Sequence, residues 1–169
     1  YFGTGQTALL NGSDFYLGTN QGLYLAPWEQ LRNNSSEIPF RLLPSSAGQV
    51  WALEESDGTI WCAHDQGLFQ VINGRLRPIF KEEGILSILP RDGRHLIAGT
   101  YNGLSLFDNQ NGQWRFVRKI PPVQGACSQV LAWGKDLLWI NIPNFGIIKA
   151  TLDDELTILK QRIYLTETF

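Results

Sequence analysis

Few residues in this chain have types and spacing that could do chemistry. They are the adjacent carboxylates Glu82 and Glu83, the histidines His64 and His95, and the cysteines Cys62 and Cys127. A glycoside-cleaving site needs two carboxyl groups about 5–10 Å apart across a cleft, one to move a proton and one to attack or activate water. Glu82-Glu83 precedes a strand, where the pair could face such a cleft. The same two residues also read as solvated turn charges, like Glu54, Glu55, Asp57 and Asp92. His64 lies two residues from Cys62, which puts both on one face of a strand. That is a weak thiol–imidazole pattern, and two small buried hydrophobes is the plainer reading of the cysteines. His64 and His95 lack metal-ligand spacing. There is no GxSxG, HExxH, CxxC or phosphate-cradling glycine loop. The residues therefore predict no catalytic set, no metal and no cofactor.

A different set is polar, sits at turns and varies between repeats: Asn20-Gln21, Asp65-Gln66, Tyr101-Asn102 and Asn144-Phe145. Amides, a carboxylate and aromatic rings at a rim suit a polar ligand such as a sugar, and equally suit ordinary turn geometry. The lead-in residues Gln49, Glu83 and Gln124 are expected on the same side.

The elements that must position these pairs repeat. FYLGTNQGL (15–23), IWCAHDQGL (60–68), LIAGTYNGL (96–104) and WINIPNFGI (139–147) each run from an apolar strand through a polar pair to Gly-Leu or Gly-Ile. The period is about 40 residues, the signature of a repeat architecture. A short apolar strand precedes each motif: TALL (7–10), VWAL (50–53), LSIL (86–89) and VLAW (130–133). These inner strands read as buried on both faces. Asn-Gly and Asp-Gly turns follow, with the φ > 0 geometry of tight hairpins. A third strand leaves each pivot glycine, and a charged, alternating fourth strand reads as a solvent-facing edge. The segment 151–163 could pass for a helix alone, but its place in the repeat predicts a turn and a strand.

Four antiparallel strands per repeat define an all-β chain of the β-propeller class, since one blade cannot bury both faces alone. A solenoid is the rival, but its rungs need fewer residues. The approximate blades are 5–43, 48–80, 84–119 and 126–162, with 163–169 beginning a further element. Four blades could close a ring. An incomplete arc of a six- to eight-bladed propeller fits the extra strand better.

Composition narrows the partners. Of 169 residues, 43% are hydrophobic, enough for a core, and 18% are charged, below the roughly 25% usual for globular chains. A net charge of −2 provides no basic field for nucleic acid or anionic lipid. No apolar run of about 18 residues could span a bilayer. The chain starts at Tyr1 with no charged-then-apolar leader, and reads as mature or cut from something larger.

The motif resembles the repeat of two-component regulator propellers, which runs apolar-Trp-apolar-Gly-Thr, two residues, Gly-Leu, aromatic. FYLGTNQGLY (15–24) and LIAGTYNGLSLF (96–107) fit closely. IWCAHDQGLF (60–69) has Ala63-His64 in place of Gly-Thr, and WINIPNFGII (139–148) has Ile142-Pro143 there. No Trp-Asp or Gly-Gly doublet supports the WD or kelch classes. The resemblance implies a non-catalytic, periplasmic ligand-sensing propeller of an inner-membrane bacterial regulator, often a hybrid histidine kinase. It further implies oligosaccharide ligands from polysaccharide breakdown, a homodimer in the full-length protein, and membrane contact only through other segments. A protein-interaction scaffold and, less favoured, a propeller lyase or glycosidase are the alternatives.

Overall fold

The structure is a computed structural model that describes residues 2–33 and 40–165. Sixteen strands form four separate four-stranded antiparallel sheets, each built from consecutive strands. The first holds β1 (Gly5–Asn11), β2 (Asp14–Thr19), β3 (Leu23–Pro27) and β4 (Arg41–Leu42). The second holds β5 (Val50–Ser56), β6 (Thr59–His64), β7 (Gly67–Ile72) and β8 (Arg75–Phe80). The third holds β9 (Ile85–Pro90), β10 (His95–Thr100), β11 (Gly103–Gln110) and β12 (Gln113–Ile120). The fourth holds β13 (Gln129–Trp133), β14 (Leu137–Ile142), β15 (Gly146–Leu152) and β16 (Ile158–Leu165). This is the blade arrangement of an all-β propeller.

The turns form for the reasons the sequence suggests. Asp57-Gly58, Asn73-Gly74 and Asn111-Gly112 all have φ between 50° and 81°, the paired left-handed geometry of two-residue hairpins. Leu156 also has positive φ (59°), within the turn that ends β15 and rules out a helix over 151–163.

The chain divides into two compact units, Tyr1–Glu82 and Glu83–Phe169, each holding two sheets. In the first, Tyr16, Leu23 and Leu25 of the first sheet meet Val50, Ile60 and Cys62 of the second. In the second unit, Ile97, Leu104 and Leu106 of the third sheet meet Val130, Leu138 and Ile140 of the fourth. Sheets pack this closely only where side chains are absent at the crossing. A Cβ at Gly18 would lie 2.6 Å from Val50 Cγ1 of the adjacent sheet, and one at Gly99 would overlap the Cys127 carbonyl and Ser87 Oγ. Both glycines allow the adjacent sheet to approach closely.

Two sequence readings are corrected, and one short helix is added. The inner strands β1 and β13 are mostly exposed rather than buried on both faces. Within its own unit each meets a neighbouring sheet on one face: β5 for β1 and β9 for β13. The loop after Ala26 contains a one-turn helix, α1 (Trp28–Arg32), with Glu29 paired to Arg32 at 3.3 Å. Finally, β16 stays in register with β15 up to Leu165, so 163–165 belong to the fourth sheet rather than to a new element. Residues 166–169 of the expected further element lie outside the described residues, as do 34–39 of the first expected blade.

Candidate functional site

All eight polar-turn candidates are exposed, and each pair occupies the reversal between the second and third strands of its sheet. The reversal is built around one acceptor. The Thr19 hydroxyl accepts from the Gln21 N–H (3.0 Å) and donates to Gly22 O (3.1 Å). Thr100 repeats this with the Asn102 N–H (3.0 Å) and Gly103 O (3.1 Å). In the second repeat the Gln66 N–H goes instead to His64 Nδ1, at 3.1 Å. His64 thus does the work of the missing threonine, which explains Ala63-His64 at the Gly-Thr place. The fourth turn has no acceptor side chain at Ile142, so the Phe145 N–H falls back on the Ile142 carbonyl (3.1 Å). The pivot glycine is required as well: Gly67 has φ 134°, and a Cβ there would run into the Phe80 carbonyl.

Within the first unit the linker to the second sheet stitches the turns together. Gly48 N–H donates to Gln21 O (3.3 Å) and Asp65 N–H to Gln49 O (2.9 Å). The Ser46 hydroxyl, fully buried, donates to Leu43 O (2.8 Å) and accepts from Leu23 N–H (3.1 Å). Three of the candidates spend their side chains on this frame. Asn20 Oδ1 accepts from Thr4 N–H (2.8 Å), Gln66 Nε2 donates to Ala47 O (3.4 Å), and Asp65 Oδ1 lies 2.6 Å from His64 Nδ1.

His64 is buried and faces conflicting demands. Accepting from Gln66 requires a lone pair on Nδ1 and puts the proton on Nε2, toward Ser46 O at 3.4 Å. Asp65 would favour a proton on Nδ1 instead. Burial lowers the imidazole pKa, opposed by the Asp65 charge and the Ser46 carbonyl, and burial prevails.

In the second unit the lead-in residue Glu83 is the centre of a cluster. Its Oε1 lies 2.9 Å from Thr100 Oγ1, competing with Gly103 O for the one hydroxyl proton, and its Oε2 pairs with Lys119. Lys119 Nζ also reaches Thr100 Oγ1 (3.2 Å) and Asn102 O (3.4 Å). Sequence reasoning singled out Glu83 and missed Lys119. The missed signal is its register, since Lys119 lies opposite Ser105, two residues past the pivot glycine. Both Glu83 oxygens are engaged, one by Thr100 and one by Lys119. By contrast, the side chains of Asn102, Asn144 and Phe145 make no hydrogen bond among the described residues. Asn141 Nδ2 anchors the fourth turn's approach on Ser128 Oγ (3.0 Å).

The other chemistry-bearing residues are structural. Cys62 and Cys127 are free and buried. Burial pushes the Cys62 thiol far up and that of Cys127 up to about 12, so neither is a thiolate at neutral pH. His95 Nδ1 donates to Asp92 Oδ2 at 3.1 Å. No three His, Cys, Asp or Glu side chains converge as metal ligands among the described residues. No helix among them is long and apolar enough to cross a membrane.

No protein-family model and no curated protein matches this chain. Solved structures do match its fold. The extracellular domain of BT4673 from B. thetaiotaomicron, assigned as a hybrid two-component system, superposes with a TM-score of 0.71 at 16% identity over 98% of this chain. That of BT3049 from the same organism, assigned likewise, gives 0.69 at 13% identity, again over 98%. The WD40 propeller of Doa1 gives 0.68 at 11% identity over 96%. The chain spans 22%, 25% and 55% of these three proteins, respectively. The fold is that of β-propeller blades, and the neighbours include the kind of protein that the repeat motif resembles.

Proposed function

We propose that this chain is part of a non-catalytic, extracytoplasmic sensing propeller of a bacterial signal-transduction regulator. Its ligands would be oligosaccharides released from polysaccharides, met at the strand-two to strand-three turns. The observation that carries this reading is the contrast within the motif. The frame of strand and pivot glycine is held fixed, while the exposed pair upon it changes from repeat to repeat. Variable polar residues on a rigid scaffold are how binding loops are built. The fold likeness to extracellular domains assigned to hybrid two-component systems supports the extracytoplasmic setting. A periplasmic position, a homodimer in the full-length protein and membrane attachment through other segments complete the proposal.

Asn102 and Asn144 are the best contact candidates, because their amides are exposed and unspent. Lys119 and Glu83 add a charged pair beside Asn102 that could bond sugar hydroxyls. Asn20 and Gln66 would act on turn shape rather than on the ligand.

Calorimetric titration of the full-length ectodomain with a panel of oligosaccharides tests the reading. A binding glycan should lose about tenfold or more in affinity on Asn102→Ala or Asn144→Ala, roughly 1.4 kcal/mol. Asn20→Ala should lower the melting temperature and leave affinity nearly intact. Silence across the panel from a well-folded ectodomain would sink the proposal.

A further inference from the structure

One arginine recurs at the same register in every sheet. The third residue after each pivot glycine lies opposite it: Leu25 opposite Arg41, Gln70 opposite Arg77, Leu106 opposite Arg118, and Lys149 opposite Arg162. Where the following sheet lies in the same unit, this arginine reaches the turn between that sheet's third and fourth strands. Arg118 Nη2 donates to Glu155 O (2.8 Å) and Thr157 Oγ1 (3.1 Å) in the β15–β16 turn. Arg41 Nη2 lies beside the β7–β8 turn, 3.9 Å from where a Cβ on Gly74 would stand.

Around the arginine, the same positions carry the sheet-to-sheet contact. On the third sheet Ile97, Leu104, Leu106 and Ile120 are buried in the core shared with the fourth sheet. Their counterparts on the fourth sheet, fixed by matching register, are Trp139, Ile147, Lys149 and Tyr164. Ile147 is 42% exposed, Tyr164 40%, and Leu131 beside them 64%. Trp139 stacks on Tyr164 at 6.0 Å, and Arg162 lies 5.0 Å over the Tyr164 ring. Arg162 makes no hydrogen bond or ion pair among the described residues.

We infer that the open face of the fourth sheet is a docking surface for one further blade-type β-sheet of the same polypeptide, whose turn between its third and fourth strands accepts hydrogen bonds from Arg162. The occupant must present apolar side chains to the Leu131, Trp139 and Ile147 half, and carbonyl, hydroxyl or carboxylate oxygens to the Lys149, Lys160 and Arg162 half. A second copy of the same face fits poorly. Among the described residues the face carries three cations and no carboxylate, so pairing it with itself sets like charges together. The inference concerns assembly, and it stands or falls separately from ligand sensing.

Tryptophan footprinting by oxidation and mass spectrometry tests it, comparing residues 1–169 with the longest natural polypeptide that carries them. Trp133 and Trp139 should be reactive in the former and protected about tenfold or more in the latter. Arg162→Ala should raise Trp139 labelling severalfold in the long polypeptide and leave the melting temperature of residues 1–169 unchanged. Arg118→Ala should lower the melting temperature of both. Equal reactivity in the two proteins overturns the inference. So does protection in residues 1–169 that grows with concentration, which would make a second copy the occupant, or protection that appears only with added oligosaccharide.

Discussion

The first and fourth sheets each press one face against a neighbour, and they treat the opposite face in contrary ways. The first sheet covers it with its own aromatic rings. Phe2 packs edge-on to Tyr24 (5.1 Å) and to Phe40 (5.4 Å), while Phe15 stacks on Trp28 (6.0 Å). The fourth sheet leaves Leu131 and Trp133 at 64% and 76% exposure. The pressed faces, by contrast, follow one plan in both units: a glycine at the crossing, apolar residues at matched register, and an arginine reaching toward the next outer turn. The lesson is that the repeat specifies how a sheet is received by its successor. What happens at an outward face depends on local additions such as Phe2, α1 and Phe40.

The largest effect should come from the shared plan. Gly99→Val puts branched carbon against the Cys127 carbonyl and Ser87, where the adjoining backbone has no freedom to withdraw. A loss of about 3 kcal/mol or more, or outright failure to fold, is expected in denaturant titrations. A near-neutral result would mean the sheets are not pressed together there.

The next test separates the outward faces. Phe40→Ala strips the ring that touches both Phe2 and Phe15, and should cost about 1–2 kcal/mol. Trp133→Ser in residues 1–169 should change stability by less than about 0.5 kcal/mol, since little is buried there. Equal costs at the two positions would erase the contrast between the sheets.

The smallest effect belongs to the motif turns. His64 binds a proton less readily in the folded protein than in the unfolded chain, because burial lowers its pKa. The unfolded state therefore takes up more protons as pH falls below about 6.5, and stability declines through that range. His64→Thr restores the hydroxyl acceptor used at Thr19 and Thr100. It should keep the protein folded at pH 7.5 and flatten the fall in melting temperature between pH 6.5 and 5. An unchanged slope would place the acid sensitivity elsewhere.

Much of the frame was legible because turn chemistry and alternation are local. Asn-Gly and Asp-Gly demanded tight hairpins, and the pivot glycines marked where third strands begin. The polar pairs were placed at turns for the same reason. Their division into spent and unspent side chains was not legible. It depends on Thr4, Ala47 and His64 arriving from other strands. Lys119 was missed because its partner Glu83 lies on the far side of two intervening strands. The exposure of β1 and β13 was missed because an apolar strand looks the same whether or not a second sheet covers it.

By itself, then, the sequence determined the strand period, the turn types and the class of fold. Those are properties of neighbouring residues and their backbone preferences. Only the tertiary structure decided that His64 stands in for a threonine, that Glu83 is held by Lys119 and Thr100, and that Arg118 is engaged while Arg162 is not. These are contacts between segments distant in sequence, and they exist only once the register of the sheets has brought the segments together.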